Sequence, residues 1–487
     1  MGLLRTFTGM KSIYILCLTL FSLSLSAQTY VTVEPQTGTS RLALSFTAGR
    51  NIPYSVENYK ITYNTTDVFG QPTVASGLLC VPADRGRLFA LAVYNHGTVA
   101  GRELVPSREG ITERFIPQVM AGVGMITVAP DYLGLGDNDA PVHPYVHADS
   151  EASAGRDLVA AAKQWLDEEE IDYSDQFFIT GYSQGGHATQ ALHRDVQTNP
   201  GPDSLKVTAA THLSGPYSIS DVMRETLFAE GQATLPGYIV YTYISYDYVY
   251  DLFDDFNEIF ADEYVGNVDS FARGLIDLGA FNTRLEEQIA ENNASLADLL
   301  QDSIATQLMT ADPTSPTYQA LLDNDTYDWA PEAPTLMYYC TADEQVPFRN
   351  AVLADSVMTA NGSTSVDLRD GGNLTHGGCL LPALNATLDF FIPLLDLQVV
   401  GLGDVVDLPE VRLSPNPVAL GSRLRLSGLP QREYAFVLYD QTGRETGHGV
   451  TSATGELQVP TSLTPGMQIL RVQLADGTSL VRRFFTK

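Results

Sequence analysis

The sequence is poor in basic side chains. Its 487 residues include 28 Lys and Arg against 58 Asp and Glu, which gives a formal net charge of -30. A surface of this sign repels phosphate backbones, so we expect no nucleic-acid partner. The hydrophobic content of 44% also excludes a chain that is mainly disordered.

Long hydrophobic runs are scarce as well. One run, residues 13–25, follows Arg5 and Lys11 and ends just before Ala27. It is shorter than the roughly 20 residues that a membrane-spanning helix needs, and its flanks are typical of a secretory signal peptide. We therefore expect cleavage after Ala27, export of the rest of the chain and no transmembrane segment.

Cysteine is rare. The chain has four, of which Cys17 lies in the expected signal peptide and Cys80, Cys340 and Cys379 lie in the exported part. An odd number in an oxidising compartment allows at most one internal bridge. Because no paired spacing resembles a zinc site, we expect no metal, and no motif predicts a cofactor.

The charge is distributed unevenly along the chain. Residues 411–487 hold nine basic and five acidic side chains, whereas residues 28–410 carry a net charge of about -36. This change of sign predicts a domain boundary, with residues 400–410 as the linker. Past the linker, short alternating runs separated by Gly, Pro and Asn predict a small all-β sandwich.

Several motifs of the tail occur together. They are the sequence LSPNPV at 413–418, Leu438-Tyr439-Asp440 with Gly443-Arg444, Thr464-Pro465-Gly466, and the basic-aromatic end RRFFTK at 482–487. Together they resemble the C-terminal sorting domain of the Bacteroidetes type IX secretion system, although Met467 stands where that family usually has an aromatic residue. The resemblance implies the type IX machinery as a partner and export across the outer membrane. The alternative is an accessory β module that binds carbohydrate or protein.

The central region alternates between apolar runs and helical periodicities. Residues 59–63 and 76–81 predict an antiparallel hairpin, and a helical pattern covers residues 152–169. The later apolar strands are predicted at 88–94, 124–129, 176–180, 207–213, 335–339 and 365–368. Antiparallel strands followed by βα units predict an α/β sheet with an antiparallel edge.

A candidate nucleophile lies where one of these strands meets a helix. The sequence Gly181-Tyr182-Ser183-Gln184-Gly185 follows the strand at 176–180 and precedes a helical pattern. A Gly-x-Ser-x-Gly motif in this context forms a sharp elbow that exposes the serine hydroxyl. The hydroxyl needs a base and an acid, which should follow in that fold in the order acid, then histidine. Asp343 or Glu344 after the strand at 335–339, and His376 after the strand at 365–368, satisfy this order.

Further motifs narrow the family. They are APDYLGLG at 129–136, HPY at 143–145 and GYSQGGHA at 181–188. They resemble the secretory lipase (lipase A-like) branch of the α/β-hydrolase superfamily over most of residues 55–395. The resemblance implies a catalytic domain at 28–399 and the triad Ser183, Asp343 and His376, with Asp343 favoured over Glu344 by its Asp-x-x-Val-Pro spacing. It also implies an oxyanion hole formed by the backbone N–H groups of Gln184 and Thr98, with the Thr98 hydroxyl as a possible third donor.

An insertion separates two late strands of the predicted sheet. Residues 215–330 hold 21 acidic and three basic side chains and an aromatic tract from Tyr238 to Phe260. The length predicts a helical cap, with helical stretches at 221–228, 268–278 and 296–308. The aromatic rings either form a subsite over Ser183 or pack the cap internally. An acidic entrance would disfavour anionic substrates.

Two of the cysteines flank the expected acid and base. Cys340 lies three residues before Asp343, and Cys379 lies three residues after His376. A disulfide between them would join the two loops, and the alternative is a pair of buried free thiols. Cys80, on an apolar strand, is expected to be a core residue.

These residues favour an exported serine hydrolase. The first hypothesis is a carboxylic-ester hydrolase, a lipase or esterase, that acts through an acyl-Ser183 intermediate. The second is a serine peptidase of the same fold, such as an aminopeptidase, because an acidic cap would suit a substrate amine. The third is a surface binding protein with a degenerate hydrolase domain.

Overall fold

The computed structural model describes most of the chain. The described residues are 29–201, 205–229, 235–397, 408, 410–440, 444–474 and 479–487. The expected signal peptide, residues 1–27, lies outside them, and so does most of the expected linker at 400–410.

A nine-stranded sheet forms the centre of the larger part of the chain. Its strands are β1 (Tyr30–Thr39), β2 (Val56–Thr66), β3 (Pro72–Pro82), β4 (Phe89–Asn95), β5 (Met125–Pro130), β6 (Tyr173–Tyr182), β7 (Val207–Leu213), β8 (Thr335–Tyr339) and β9 (Val366–Asp370). Their spatial order is β1-β2-β3-β5-β4-β6-β7-β8-β9. The pairs from β1 to β5 are antiparallel and all later pairs are parallel, which confirms the expected antiparallel edge.

Helices cover both faces of this sheet. They are α1 (Arg41–Ala48), α2 (Phe115–Val123), α3 (Ala148–Glu168), α4 (Gln184–Thr198), α10 (Arg349–Ala360) and α11 (His376–Phe391). The apolar side chains of α3 and α4 share one core with alternate strand residues such as Val93 and Ile179. Helices α1, α2 and α11 share a second core with the intervening residues, such as Ala92 and Phe178. Burial on both sides explains why the central strands are apolar throughout.

A group of helices within residues 215–330, here called the cap, lies between β7 and β8. Its helices are α5 (Pro236–Tyr250), α6 (Asp262–Ala272), α7 (Leu278–Asn292), α8 (Asp302–Met309) and α9 (Pro316–Asp323). They enclose a core of their own around Tyr246, Phe260 and Phe281. The predicted helix at 268–278 is wrong. The chain leaves α6 through Gly274, whose φ is +66°, and Asp277 caps the next helix.

Helix α3 begins four residues before the predicted helix at 152–169. The earlier start has a local cause, because the His147 side chain accepts a hydrogen bond from the Ser150 N–H and so caps the helix. Histidine is not among the residues that usually signal an N-cap, so the pattern alone placed the start too late.

The C-terminal region consists of short strands in two sheets. They are β10 (Arg412–Ser414), β11 (Arg423–Ser427), β12 (Ala435–Asp440), β13 (Glu445–Val450), β14 (Glu456–Gln458), β15 (Gly466–Gln473) and β16 (Ser479–Thr486). One sheet has the order β10-β11-β14 and the other β13-β12-β15-β16. Alternate residues such as Leu424, Leu438 and Phe484 are fully buried in a shared core. The expected all-β architecture of the tail is therefore present.

One helical stretch of the described residues, His376–Leu394, is long and apolar enough to cross a membrane by length and composition. It includes α11, which packs against β6, β7 and β8 of the sheet. Core helices of soluble proteins meet the same criterion, so this match is weak evidence for a membrane span.

Candidate active site

Ser183 lies in the elbow between β6 and α4. Its φ of 61° and ψ of -123° place a non-glycine residue in a left-handed region that L-residues rarely adopt. Hydrogen bonds hold this conformation: the Ser183 N–H donates to the Leu213 carbonyl, and the Ser183 carbonyl accepts from Gly186 N–H. The elbow thus has the strained geometry that a Gly-x-Ser-x-Gly motif is known for.

The two motif glycines are required by close backbone contacts. A Cβ atom added to Gly181 would lie 2.1 Å from the Gly185 carbonyl oxygen. A Cβ atom added to Gly185 would lie 2.0 Å from the Asn95 carbonyl oxygen. Both distances are far shorter than a van der Waals contact, so a side chain at either position would push the elbow apart.

His376 lies beside the serine hydroxyl. It is the first residue of α11, and its Nε2 lies 2.9 Å from Ser183 Oγ. The side chain is 9% exposed, so little water competes for this contact. With a hydrogen bond of this length, the imidazole is placed to accept the hydroxyl proton.

Asp343 orients the histidine. Its Oδ2 lies 2.7 Å from His376 Nδ1, and its other oxygen accepts hydrogen bonds from the N–H groups of Gln345 and Val346. An ionised carboxylate can only accept hydrogen bonds, so the His376 Nδ1 that faces it carries the ring hydrogen and donates it to Asp343. Nε2 is then the free acceptor that faces Ser183.

Glu344, the alternative acid, takes a different position. Its Oε2 accepts the backbone N–H of His376 at 3.0 Å and does not meet the imidazole. Burial raises the pKa of this carboxyl, but the hydrogen bonds from the His376 backbone and from neighbouring groups outweigh it, so the pKa lies below its ordinary value. Tyr182 holds the next peptide group, because its hydroxyl donates to the His376 carbonyl at 2.6 Å. No sequence pattern predicts either backbone contact.

The loop that carries Thr98 lies against the elbow. A Cβ atom added to Gly97 would lie 3.7 Å from Ser183 Cβ, so the backbone after β4 passes directly beside the nucleophile. Gln184 begins α4, where backbone N–H groups at a helix start are available to an anion. The Thr98 hydroxyl lies 2.9 Å from the Tyr145 hydroxyl. The assignment of Gln184 and Thr98 to an oxyanion hole stays a prediction.

A disulfide joins Cys340 to Cys379. It ties the loop after β8, which carries Asp343, to the first turn of α11, which carries His376. Cys80 is a free, buried thiol whose Sγ donates to Asn58 Oδ1. Burial raises the pKa of the Cys80 thiol, which agrees with a core residue rather than a reactive one.

Removing the disulfide is expected to destabilise the protein. The double variant C340A/C379A should lose about 2–4 kcal/mol of unfolding free energy, the usual contribution of a native bridge, because the unfolded chain is no longer constrained. Urea unfolding measures this loss. In the unfolded chain from residue 28 onward, alkylation should block one thiol before reduction and three after it. Three blocked thiols before reduction would contradict the bridge.

An apolar cavity opens above Ser183. Its floor is formed by Ser183, Gln184, Gln345 and Val346. The cap contributes the remaining wall with Pro216, Ile219, Met223, Arg224, Thr226, Leu227, Tyr238, Ile239, Thr242, Tyr243 and Leu321, joined by Tyr145 and Val146. The site is therefore a covered pocket, of the kind that holds small apolar ligands.

The cavity wall differs from the surface of the cap. Of the predicted aromatic tract, Tyr238 and Tyr243 line the cavity, while rings such as Tyr246 and Phe260 are buried in the core of the cap. Arg224 is the one charged side chain among the described lining residues, and its Nε and Nη1 donate to carbonyl groups. The excess acidic charge of the cap therefore does not line this pocket.

The described residues were also searched for clusters of side chains that could hold a metal ion. No group of three or more His, Cys, Asp or Glu side chains within them has a suitable arrangement.

Comparison with solved structures identifies the fold. The rice cell wall degrading esterase LipA from Xanthomonas oryzae matches with a TM-score of 0.66 and 26% identity, over 75% of this chain and 96% of that chain. A candidate hydrolase from Legionella pneumophila matches with a TM-score of 0.67 and 26% identity, over 75% and 98%. Candida antarctica lipase A matches with a TM-score of 0.55 over 75% and 82%, and its 14% identity shows the fold alone.

No protein-family profile and no curated protein matches the sequence. The structural neighbours nevertheless establish an α/β-hydrolase-like fold and support a hydrolase of the lipase or esterase type.

Proposed function

We propose that this protein is an exported serine hydrolase that cleaves carboxylic esters. The observation that supports the proposal most directly is the hydrogen-bonded row from Ser183 through His376 to Asp343, whose serine lies at the floor of an apolar cavity. A hydroxyl, an imidazole and a carboxylate in this order are the components of acyl transfer through a serine nucleophile.

The geometry supports a two-step reaction. Ser183 Oγ attacks the ester carbonyl while His376 Nε2 takes its proton, and Asp343 stabilises the resulting imidazolium. The negative charge on the carbonyl oxygen is met by the N–H groups of Gln184 and Thr98. The imidazolium then returns its proton to the leaving alkoxide. Water repeats the sequence on the acyl-Ser183 ester and releases the acid.

The lining of the cavity favours esters over peptides with a free amine. Its wall is apolar, and its one charged side chain, Arg224, has the wrong sign to attract an ammonium group. The acidic surface of the cap was the main reason to consider an aminopeptidase, but its carboxylates lie outside the described lining.

A substrate panel tests the proposal. The protein should hydrolyse p-nitrophenyl esters and leave aminoacyl-nitroanilides intact, and the variant S183A should lose the ester activity. Hydrolysis of the nitroanilides alone would indicate the peptidase. Absence of activity on either class in the wild-type protein would indicate a binding protein with a degenerate site.

The cavity should also set a dependence on acyl length. Each methylene that it buries is worth about 0.8 kcal/mol, so kcat/KM should rise about fourfold per methylene until the cavity is full. The variant I239W places a larger, aromatic side chain in the wall of the cavity. It should move the optimum to shorter acyl chains without lowering kcat/KM for the acetate ester. A length profile that is the same in both proteins would show that the acyl group binds elsewhere.

We also propose that the C-terminal β domain directs export through the type IX machinery, as its motifs imply. Deletion of residues 411–487 in a Bacteroidetes host should leave active enzyme in the periplasm and remove it from the cell surface and the medium. Immunoblots and esterase assays of the fractions measure the change. Unaltered export of the truncated protein would contradict the proposal.

A further inference from the structure

A short segment of chain contacts both residues proposed for the oxyanion hole. Residues 143–147, here called the bridging segment, precede α3. The Tyr145 hydroxyl lies 2.9 Å from Thr98 Oγ1, and His143 Nε2 lies 2.8 Å from Gln184 Nε2. Tyr145 is 6% exposed and His143 is 5% exposed, so both contacts are shielded from water.

The contact between His143 and Gln184 has a defined direction. His143 Nδ1 lies 2.8 Å from the Leu133 carbonyl oxygen, so Nδ1 must carry the ring proton and Nε2 must accept from the Gln184 amide. Burial lowers the pKa of His143 to about 3, which agrees with a neutral ring. The second amide hydrogen of Gln184 is donated to Glu151 Oε1 at 2.8 Å. Both hydrogens of this side chain are therefore held.

Further hydrogen bonds connect Glu151 to the cap. Glu151 Oε2 lies 2.7 Å from His187 Nδ1, and His187 Nε2 lies 2.8 Å from the carbonyl oxygen of Asn324, which follows α9. Both ring nitrogens of His187 face oxygen atoms. Either the ring carries hydrogens on both nitrogens beside a Glu151 carboxylate, or Glu151 carries one proton and donates it to the ring. The buried pair is neutral overall and fully hydrogen-bonded, as a stable buried network must be.

Helix α5 of the cap contacts the bridging segment directly through hydrogen bonds and a stacked ring pair. Ser245 Oγ donates to the His143 carbonyl at 2.8 Å, and the Tyr246 hydroxyl donates to the Val146 carbonyl at 3.0 Å. The Tyr241 ring stacks on Tyr145 with centroids 4.6 Å apart and planes 4° from parallel.

The backbone of the bridging segment is strained where α5 contacts it. Val146 has a φ of +48°, a left-handed conformation that is a genuine outlier for a β-branched residue. Strain of this kind persists only where the surroundings hold it, and it is commonly found at functional sites. Val146 also lines the cavity above Ser183.

We propose that the bridging segment positions both donors of the oxyanion hole and couples them to cap helix α5, with Tyr145 and His143 as positioning residues. The inference rests on the proposed function, because the oxyanion in question is the one that forms when Ser183 attacks an ester carbonyl. Oxyanion donors act through their placement against the charge that develops in the transition state, so small displacements lower kcat more than substrate binding. A Tyr145 hydroxyl that donates to Thr98 Oγ1 also leaves the threonine proton free to point toward that charge.

Single variants test the positioning role. With a p-nitrophenyl ester, Y145F and H143M should lower kcat about tenfold while KM stays within about twofold. H143Q keeps an acceptor for Gln184 and should recover most of the loss. The control is Y248F, which removes the hydroxyl of a tyrosine of α5. The Tyr248 ring packs edge-on against Phe69, with ring centroids 5.4 Å apart. This control should behave as the wild-type enzyme.

Double variants test the route of the effect. If Tyr145 acts through Thr98, Y145F/T98V should be no slower than T98V alone, whereas additive losses would overturn the inference. The cap variant S245A/Y246F should show the same fall in kcat at constant KM and a matching loss of affinity for an alkyl boronic acid, which mimics the tetrahedral intermediate. Unchanged kcat, or a rise in KM alone, would overturn it.

The proposed function and the inference fail in different ways. A wild-type enzyme that requires Ser183, combined with bridging-segment variants of normal kcat, would leave the function standing and overturn the inference. A wild-type protein without ester activity would overturn both.

Discussion

Replacement of Ser183 by alanine should lower kcat for any ester substrate by about 10⁵-fold or more, the loss seen when a serine hydrolase loses its nucleophile. The physical reason is that His376 then has no hydroxyl to activate, and the covalent route is closed. Stopped assays at high enzyme concentration measure the residual rate. The substitution removes one oxygen atom and keeps the residue at the same φ, so thermal unfolding should change little.

A second serine offers a matched control. Ser214 follows β7 as Ser183 follows β6, has a φ of 42°, and is buried with its Oγ 3.9 Å from Cys379 Sγ. The variant S214A should keep kcat within about threefold of the wild-type value. If S214A and S183A lose activity equally, or if S183A stays active, Ser183 is not the nucleophile.

Replacement of Asp343 by asparagine should lower kcat by about 10⁴-fold. An asparagine that donates toward His376 Nδ1 would leave the ring proton on Nε2, where it opposes the Ser183 hydroxyl. The isosteric change keeps the packing of the loop, so KM and thermal stability should move little. Steady-state kinetics with a p-nitrophenyl ester measure the loss.

Glu344 supplies the comparison for this variant. Because its carboxylate accepts the backbone N–H of His376 and does not meet the imidazole, E344Q keeps an acceptor in place and should lower kcat by no more than about tenfold. A larger loss in E344Q than in D343N would reverse the two roles. Comparable losses would show that the triad is not organised around Asp343.

The strands that carry the site are well predicted from the sequence. The predicted strands at 207–213 and 335–339 coincide with β7 and β8, and the elbow follows β6 as expected. These strands are continuous apolar runs bounded by turn residues, so the local pattern is sufficient to place them. The order of nucleophile, acid and base then follows from the loops after successive strands.

Elements at the edge of the sheet were missed. Strand β1 and helix α1 carry few buried side chains, and Leu44 is the one buried residue of α1. Strand β1 pairs with β2 along one side only, so its residues need not be apolar and include Pro35 and Gly38. A strand that is held by backbone pairing and not by burial leaves little trace in the hydrophobic pattern.

The cap shows a similar limit. Its acidic composition predicts a charged entrance, whereas the described lining of the cavity is apolar and includes none of the carboxylates of the cap. Likewise, the aromatic tract did not reveal which rings would line the cavity and which would pack inside the cap. Helix α5 is apolar around most of its circumference, so periodicity alone cannot assign its faces.

Local pattern was enough to predict the fold class, the elbow serine, the candidate base and the all-β tail, because strand ends, glycine turns and residue order are properties of the chain itself. The Asp-x-x-Val-Pro spacing favoured Asp343 over Glu344, but three-dimensional packing was needed to show which carboxylate meets the imidazole, since adjacent carboxylates differ in the direction in which the folded loop points them. Packing was also needed to bring His143 and Glu151 to Gln184, because hydrogen bonds between distant segments form only where packing excludes water and brings donor and acceptor together.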